Sequence, residues 1–105
     1  MIQGDICLHT FKSPDKRRPV LILTRSGAIP ELTWITVAPI TTRLRDIPSE
    51  VWIDETDGMS QECAINLDNI QTVQKEKLSK PVAHLTEIKM NDVFEAIKFA
   101  FGFEE

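Results

Sequence analysis

Arg17-Arg18-Pro19-Val20-Leu21-Ile22-Leu23 places two guanidiniums immediately before a strongly apolar run. The run is rich in branched aliphatics, so it reads as a buried strand over residues 18–25. Pro19 has no N–H and a fixed φ, which suits the first position of a strand and pins the chain ahead of it. Arg18 is thereby placed at a strand mouth, on backbone held by a rigid element. A forked guanidinium there is suited to a phosphate or a carboxylate. The same pair also reads as the solvated basic end of a loop, and this segment alone leaves both readings open.

On the N-terminal side, residues 4–11 (Gly4-Asp5-Ile6-Cys7-Leu8-His9-Thr10-Phe11) read as a strand with Ile6 and Leu8 on one face and Cys7, His9 and Phe11 on the other. Ser13-Pro14-Asp15 is a turn signal, which makes residues 12–17 a loop. On the C-terminal side, residues 26–31 hold Gly27 and Pro30 and read as a loop. Residues 34–40 form a third strand in which Pro39 marks a bulge, an edge or the strand's end. A polar loop over 41–48 carries Arg43 and Arg45. Residues 50–54 alternate like a half-buried strand, and Asp57-Gly58 signals a turn. Residues 63–68 and 70–73 read as two further strands, or one bent strand, broken at Asp68-Asn69. Short strands at this spacing point to a small barrel.

The period changes near the end. Met90, Val93, Phe94, Ile97, Ala100 and Phe101 follow helical spacing while Lys89, Asp92, Glu95 and Lys98 stay polar. Thr86 is placed to cap the N-terminus and Gly102 to follow the C-terminus. The aromatic stripe of this helix is expected in the core. The fold class is then mainly β with α (α+β), a small curved antiparallel barrel closed by a C-terminal amphipathic helix.

A chain of 105 residues with 42% hydrophobic content is expected to form one domain over 1–105. No stretch approaches the roughly 18 apolar residues of a membrane helix. The first residues lack the basic-then-apolar pattern of a signal peptide, which points to a cytoplasmic protein. Cys7 and Cys63 both sit in strand-like apolar context, so free buried thiols are expected ahead of a disulfide.

The net charge of −4 argues against a nucleic-acid partner until its distribution is considered. Residues 1–45 carry seven cations against three acids, a net of +4, and hold all five arginines. Residues 46–105 carry five lysines against thirteen acids, a net of −8. One basic face for an anion and an acidic remainder follow from that asymmetry.

His9 and His84 are the only histidines, and Cys7-x-His9 supplies two ligands where zinc needs three or four. They read as packing or surface residues, with no metal site. There is no Gly-rich phosphate loop and no nucleophile elbow. An arginine-plus-threonine constellation remains, because Thr41 and Thr42 follow a strand expected beside that of Arg18. Thr41 also reads as a turn-forming hydroxyl that satisfies local backbone.

Gly4-Asp5-Ile6, Arg17 to Leu23, Val37-Ala38-Pro39-Ile40-Thr41, Asn66 to Val73 and the segment 96–102 together resemble the MazF/PemK/Kid toxin family. The resemblance covers nearly the whole chain in order and spacing. It implies an SH3-like barrel of the CcdB/MazF-like fold and a homodimer. The implied activity is metal-independent, ribosome-independent cleavage of single-stranded RNA at short sequences, neutralised by an antitoxin that is acidic and partly disordered. In that chemistry the ribose 2′-OH attacks the adjacent phosphorus, giving a 2′,3′-cyclic phosphate and a 5′-OH. The resemblance puts the catalytic roles on Arg18 and Thr41, with Asp68 as a candidate base. A turn residue between strands is the competing reading of Asp68. Lys16, Arg17, Arg43 and Arg45 are expected as phosphate contacts to RNA. The sequence departs from the family in two places. Ser13-Pro14-Asp15-Lys16 replaces a glycine- and glutamine-bearing loop, where Asp15 stands as an alternative acid, and Asn66 occupies a position that Kid-like members give to arginine.

Two other readings keep the fold and change the function. A CcdB-like gyrase poison performs no chemistry, and this chain ends Phe101-Gly102-Phe103-Glu104-Glu105 instead of in a Trp-bearing helix end. An SH3-like interaction module would use Arg17 and Arg18 only as a surface patch.

Overall fold

The computed structural model describes residues 1–10 and 17–103, and the apolar runs become strands in the expected order. They are β1 (Asp5–Thr10), β2 (Arg17–Ile22), β3 (Trp34–Thr41), β4 (Glu50–Ile53), β5 (Cys63–Asn66), β6 (Gln71–Gln74) and β7 (Ala83–His84), followed by α1 (Glu87–Phe101). Phe11, the expected loop residues 12–16 with Asp15 and Lys16, and the terminal Glu104 and Glu105 lie outside the described residues. Every strand pairing among the described residues is antiparallel, in the order β4-β5-β3-β2-β1-β7, with β6 also on β3. The result is a curled half-barrel with a helix against it.

Strand β3 organises the sheet because it changes partner along its length. Its first half pairs β6, from Trp34↔Gln74 to Val37↔Gln71, and its end pairs β5 through Ile40↔Ile65 and Thr41↔Ala64. Pro39, which has no N–H to donate, falls in the interval between the two ladders, so the strand continues through it to Thr41. The other edge of β3 carries β2, with Val20↔Pro39, Leu21↔Ala38 and Ile22↔Val37. Strand β2 stops at Ile22, short of the expected residue 25, because the Thr24 hydroxyl takes the Thr36 N–H at 2.8 Å and draws the chain out of the ladder.

Alternation along β1 and β2 divides the core in two. Ile6 and Leu21 join Ile40, Ile65, Leu67 and the helix residues Met90, Val93 and Ala96 on one face. Cys7, Val20 and Ile22 join Ile29, Ile35, Val37 and Val73 on the other. A strand covered on both faces has no polar side to show, which is why residues 20–23 read as unbroken aliphatics. Each fully buried Ile or Leu contributes about 1.5–3 kcal/mol.

The helix is capped as its sequence requires. Thr86 Oγ1 accepts the Lys89 N–H at 3.3 Å, and Gly102 closes the other end with φ of 76°. Its aromatic stripe is not core, however. Phe94 is 37% exposed and Phe101 55%, while Met90, Val93 and Ala96 are buried. The small and flexible residues fill the tight arc over the sheet, and the rings fall on its flank, where Phe101 stacks edge-on against Phe103 at 5.8 Å. No helix among the described residues is long and apolar enough to cross a membrane.

Cys7 and Cys63 are free and buried, as expected. Burial first, then the Asp5 charge, pushes the Cys7 thiol up, and burial with Asp57 and Asp54 does the same to Cys63. A thiol held neutral in the fold keeps its proton after the unfolded chain has lost it, so stability is lost as pH rises through the ordinary thiol range and beyond it. Urea unfolding followed from pH 7 upward is expected to show a decline above about pH 8.5. The part due to the thiols should be missing in a Cys7→Ala/Cys63→Ala variant.

Candidate active site

The cleft of interest exists because β2 and β3 part company. The ladder between them ends at Val20↔Pro39, after which β2 keeps pairing β1 through His9↔Arg18 and Thr10↔Arg17, while β3 turns to β5. The same antiparallel count sets Pro19 towards Ile40 and Arg18 towards Thr41. Where the strands splay, a cavity of about 530 Å³ opens, lined by Arg17, Arg18, Pro19, Ile40, Thr41, Thr42, Met59, Ser60, Gln61 and Cys63. Both residues expected to carry the chemistry therefore face one space, with Arg17 beside them.

Thr41 has a defined polarity. Its Oγ1 accepts the Arg43 N–H at 3.1 Å, the local turn bond that its position after a strand invites. Its hydroxyl hydrogen makes no hydrogen bond to a described residue, so it is available to donate to a ligand in the cavity. The turn reading and the ligand reading of this threonine are thus compatible.

The other expected site residues are placed elsewhere. Asp68 does not line the cavity: it sits in the short 3-10 turn Leu67–Asn69, where its Oδ2 accepts the Ser49 hydroxyl at 2.6 Å and its N–H donates to Asn66 Oδ1 at 2.9 Å. Chain direction explains this, since β5 starts beside Thr41 and runs away from it. Asn66 is spent on that turn. Arg43 is exposed and outside the lining set. Arg45 lies at the surface over Glu50, with its Nε on Glu50 Oε2 at 3.0 Å and its backbone N–H on Glu50 Oε1 at 2.9 Å. The Glu50 side chain is 0% exposed, so this arginine neutralises a buried carboxylate. Lys16 and Asp15 lie outside the described residues.

His9 pairs opposite Arg18 in the β1–β2 ladder and is buried, without lining the cavity. Burial, then Lys77, holds its imidazole below the usual range, so it stays neutral behind the arginine strand. Among the described residues no group of three or more His, Cys, Asp or Glu is placed to hold a metal. The lining that sequence reasoning missed is the segment from Met59 to Gln61, together with Cys63. Only the Asp57-Gly58 turn signal pointed to that region. Nothing local says that the hairpin leans towards β2.

The arrangement can grip a phosphodiester. Two guanidiniums bring fixed charge and in-plane donors, and the threonine hydroxyl adds a neutral donor from the opposite wall. No carboxylate or imidazole shares the cavity among the described residues.

Arg45→Ala leaves the Glu50 carboxylate buried without its cation and is expected to cost about 1–3 kcal/mol in urea unfolding. Arg45→Lys should recover part of that loss.

Comparison with known proteins places this geometry. Residues 2–101 match the family described as PemK-like, MazF-like toxin of type II toxin-antitoxin system. The chain is 41% identical over 90 residues to endoribonuclease MazF3 of Mycobacterium tuberculosis, covering 86% of this chain and 87% of that protein. It is 36% identical over 85 residues to the probable endoribonuclease MazF5 of the same organism, covering 80% and 78%. The solved structure of Mycobacterium tuberculosis toxin MazF-mt6 superposes with a TM-score of 0.86 at 39% identity, covering 93% of this chain and 96% of that one. With the splayed-strand cleft and its arginine–threonine pair in place, the match over almost every residue means that the chain belongs to the PemK-like, MazF-like toxins of type II toxin-antitoxin systems.

Proposed function

We propose that this toxin is a cytoplasmic endoribonuclease that cuts single-stranded RNA at the Arg18–Thr41 cavity, by attack of the ribose 2′-OH on the adjacent phosphorus. The O2′–P bond forms as the 2′-OH gives its proton to solvent water. The P–O5′ bond breaks as the leaving oxygen takes a proton from water, and the products are a 2′,3′-cyclic phosphate and a 5′-OH. The nucleophile is part of the substrate, so no metal-bound hydroxide is required to supply one. The observation that carries the reading is the common cavity of Arg17, Arg18 and Thr41.

The guanidinium of Arg18 takes the charge that grows on the non-bridging oxygens, where donors fixed in advance act most strongly. Thr41 donates its hydroxyl to the same phosphate. Arg17, with Arg43 and Lys16, contributes sequence-independent attraction to the backbone. Asp68 takes no direct part in this scheme, because its carboxylate is committed to Ser49 outside the cavity. The cognate antitoxin is an acidic, partly disordered chain that folds over the Arg17–Arg18 wall and excludes RNA, and the active toxin is a homodimer. A gyrase poison or a plain interaction module has no need of a threonine hydroxyl that shares a cavity with two arginines.

The test is cleavage of a labelled single-stranded RNA of defined sequence in EDTA, with end-group mapping. Arg18→Ala is expected to lower kcat by about 10³-fold and Thr41→Val by about 10²-fold, with melting unchanged. Asp68→Asn should stay within a few-fold of wild type, and a 2′-deoxy substitution at the cut site should stop the reaction. Arg17→Ala should retain turnover and reduce the slope of log affinity against log salt by roughly 0.7. Full cleavage by both Arg18→Ala and Thr41→Val would refute the assignment.

A further inference from the structure

The cavity is larger than a phosphate needs. About 530 Å³ falls within the roughly 300–1,000 Å³ in which whole small-molecule ligands are held. Its charged wall is made by strand ends, and its remaining wall is the β4–β5 hairpin loop, whose contribution is Met59, Ser60 and Gln61. That wall carries no charge. It presents a thioether, a hydroxyl and a primary amide.

The loop is built to hold its shape. Asp54 and Asp57 form a reciprocal cap around the 3-10 turn Glu55–Asp57, with Asp54 Oδ1 accepting from Thr56 N at 2.9 Å and Thr56 Oγ1 at 2.7 Å. Gly58 follows with φ of 93°, a conformation that L side chains rarely adopt, and a Cβ there would meet the Ala83 Cβ at 3.0 Å. Met59 N–H returns to Asp54 O at 3.2 Å, and Met59 packs against the main core cluster. The chain is therefore fixed immediately before Gln61. Yet the Gln61 amide makes no hydrogen bond to a described residue and remains exposed at the cavity.

We propose that Gln61 is a specificity-determining residue that reads the edge of one base flanking the phosphate held by Arg18 and Thr41. This rests on the ribonuclease reading above. Phosphate contacts position a nucleic acid and carry no sequence information, whereas base edges do. A primary amide offers a donor and an acceptor side by side, the pattern that pairs with a base edge exposed in a single strand. Met59 supplies an apolar surface for the face of the same base, and Ser60 a second adaptable hydroxyl. A pre-fixed loop loses little freedom on binding, so the discrimination is not spent on ordering it.

The experiment is cut-site sequencing on an RNA pool randomised around the scissile bond, for wild type, Gln61→Leu, Gln61→Glu and the Arg18→Ala blank. Gln61→Leu is expected to lower the preference at one position by about five- to a hundred-fold while preferences elsewhere persist. Gln61→Glu keeps the acceptor and loses the donor, so at that position it should shift towards a base offering an amino group, such as cytosine. Preferences unchanged at every position in both variants would overturn the inference, as would a uniform loss over all sequences or a wild type that cuts every sequence alike. A wild type that cuts nothing would instead defeat the ribonuclease reading itself, which separates the two failures.

Discussion

The register between β2 and β3 is the constraint on which the site depends. Val20 lies opposite Pro39, and the two-residue periodicity of the strands does the rest, directing Arg18 and Thr41 to the same opening. A slip of one residue would turn every side chain of β2 to the other face and carry the guanidinium with it. The core forbids that slip. Leu21 and Val20 belong to separate buried clusters on opposite faces of the sheet, and exchanging them would disturb both. The apolar burial of β2 and β3 thus fixes the position of two polar groups beyond the end of their ladder.

A second consequence comes from β3 changing partner. Were it paired to one strand throughout, its end would stay beside β2 and no cleft would form. Instead Thr41 follows β5 while Arg17 and Arg18 follow β1, and the gap between the diverging ends becomes the cavity. Pro39 helps to set where this happens, since it sits between the β6 and β5 ladders and offers neither of them an N–H. The loop leaving Thr41 is then tied down twice, by the Arg43 N–H on the threonine hydroxyl and by Arg45 on the buried Glu50. These bonds restrain the far wall of the site, and the first of them uses the Thr41 hydroxyl only as an acceptor.

Much of the fold was legible because it is written in local patterns. The aliphatic runs, the Asp57-Gly58 turn, and Thr86 and Gly102 at the helix ends each act within a few residues. What was not legible depends on partners distant in the chain. The two-residue strand Ala83–His84 exists through its pairing with Asp5 and Ile6 and the bond from His84 Nδ1 to Asp5 Oδ1 at 2.8 Å. Helical spacing found the apolar face of α1 but not its centre, so Phe94 and Phe101 were assigned to a core that Val93 and Ala96 occupy. In the site, strand-end logic left Arg18 and Thr41 open to bland readings, and the family resemblance singled them out; the structure places both on one cavity. Arg45 was expected as a phosphate contact because nothing local says that Glu50, at the start of an alternating strand, points inward. Asp68 became a candidate base through the family resemblance, while its place between strands gave the turn reading that its position in Leu67–Asn69 matches; its bond to Ser49, nineteen residues away, had no local signal.

The site divides its work between two kinds of backbone. Arg17, Arg18 and Thr41, the groups proposed to meet phosphate, stand at the ends of strands whose register the core enforces, so their spacing is insensitive to changes elsewhere on the surface. The groups facing the remaining space come from a hairpin loop, where side chains can change at little cost to the sheet. On the proposed reading, a sheet-borne grip on the backbone and a loop-borne wall for bases would allow the chemistry to stay constant while the sequence read is altered. That separation requires the loop to be rigid, since a mobile wall would pay the entropy of ordering for every base it selects. The reciprocal cap of Asp54 and Asp57 and the close packing of Gly58 on Ala83 supply that rigidity. Four residues outside the cavity lining, Asp54, Asp57, Gly58 and Ala83, therefore hold the wall proposed to select the base.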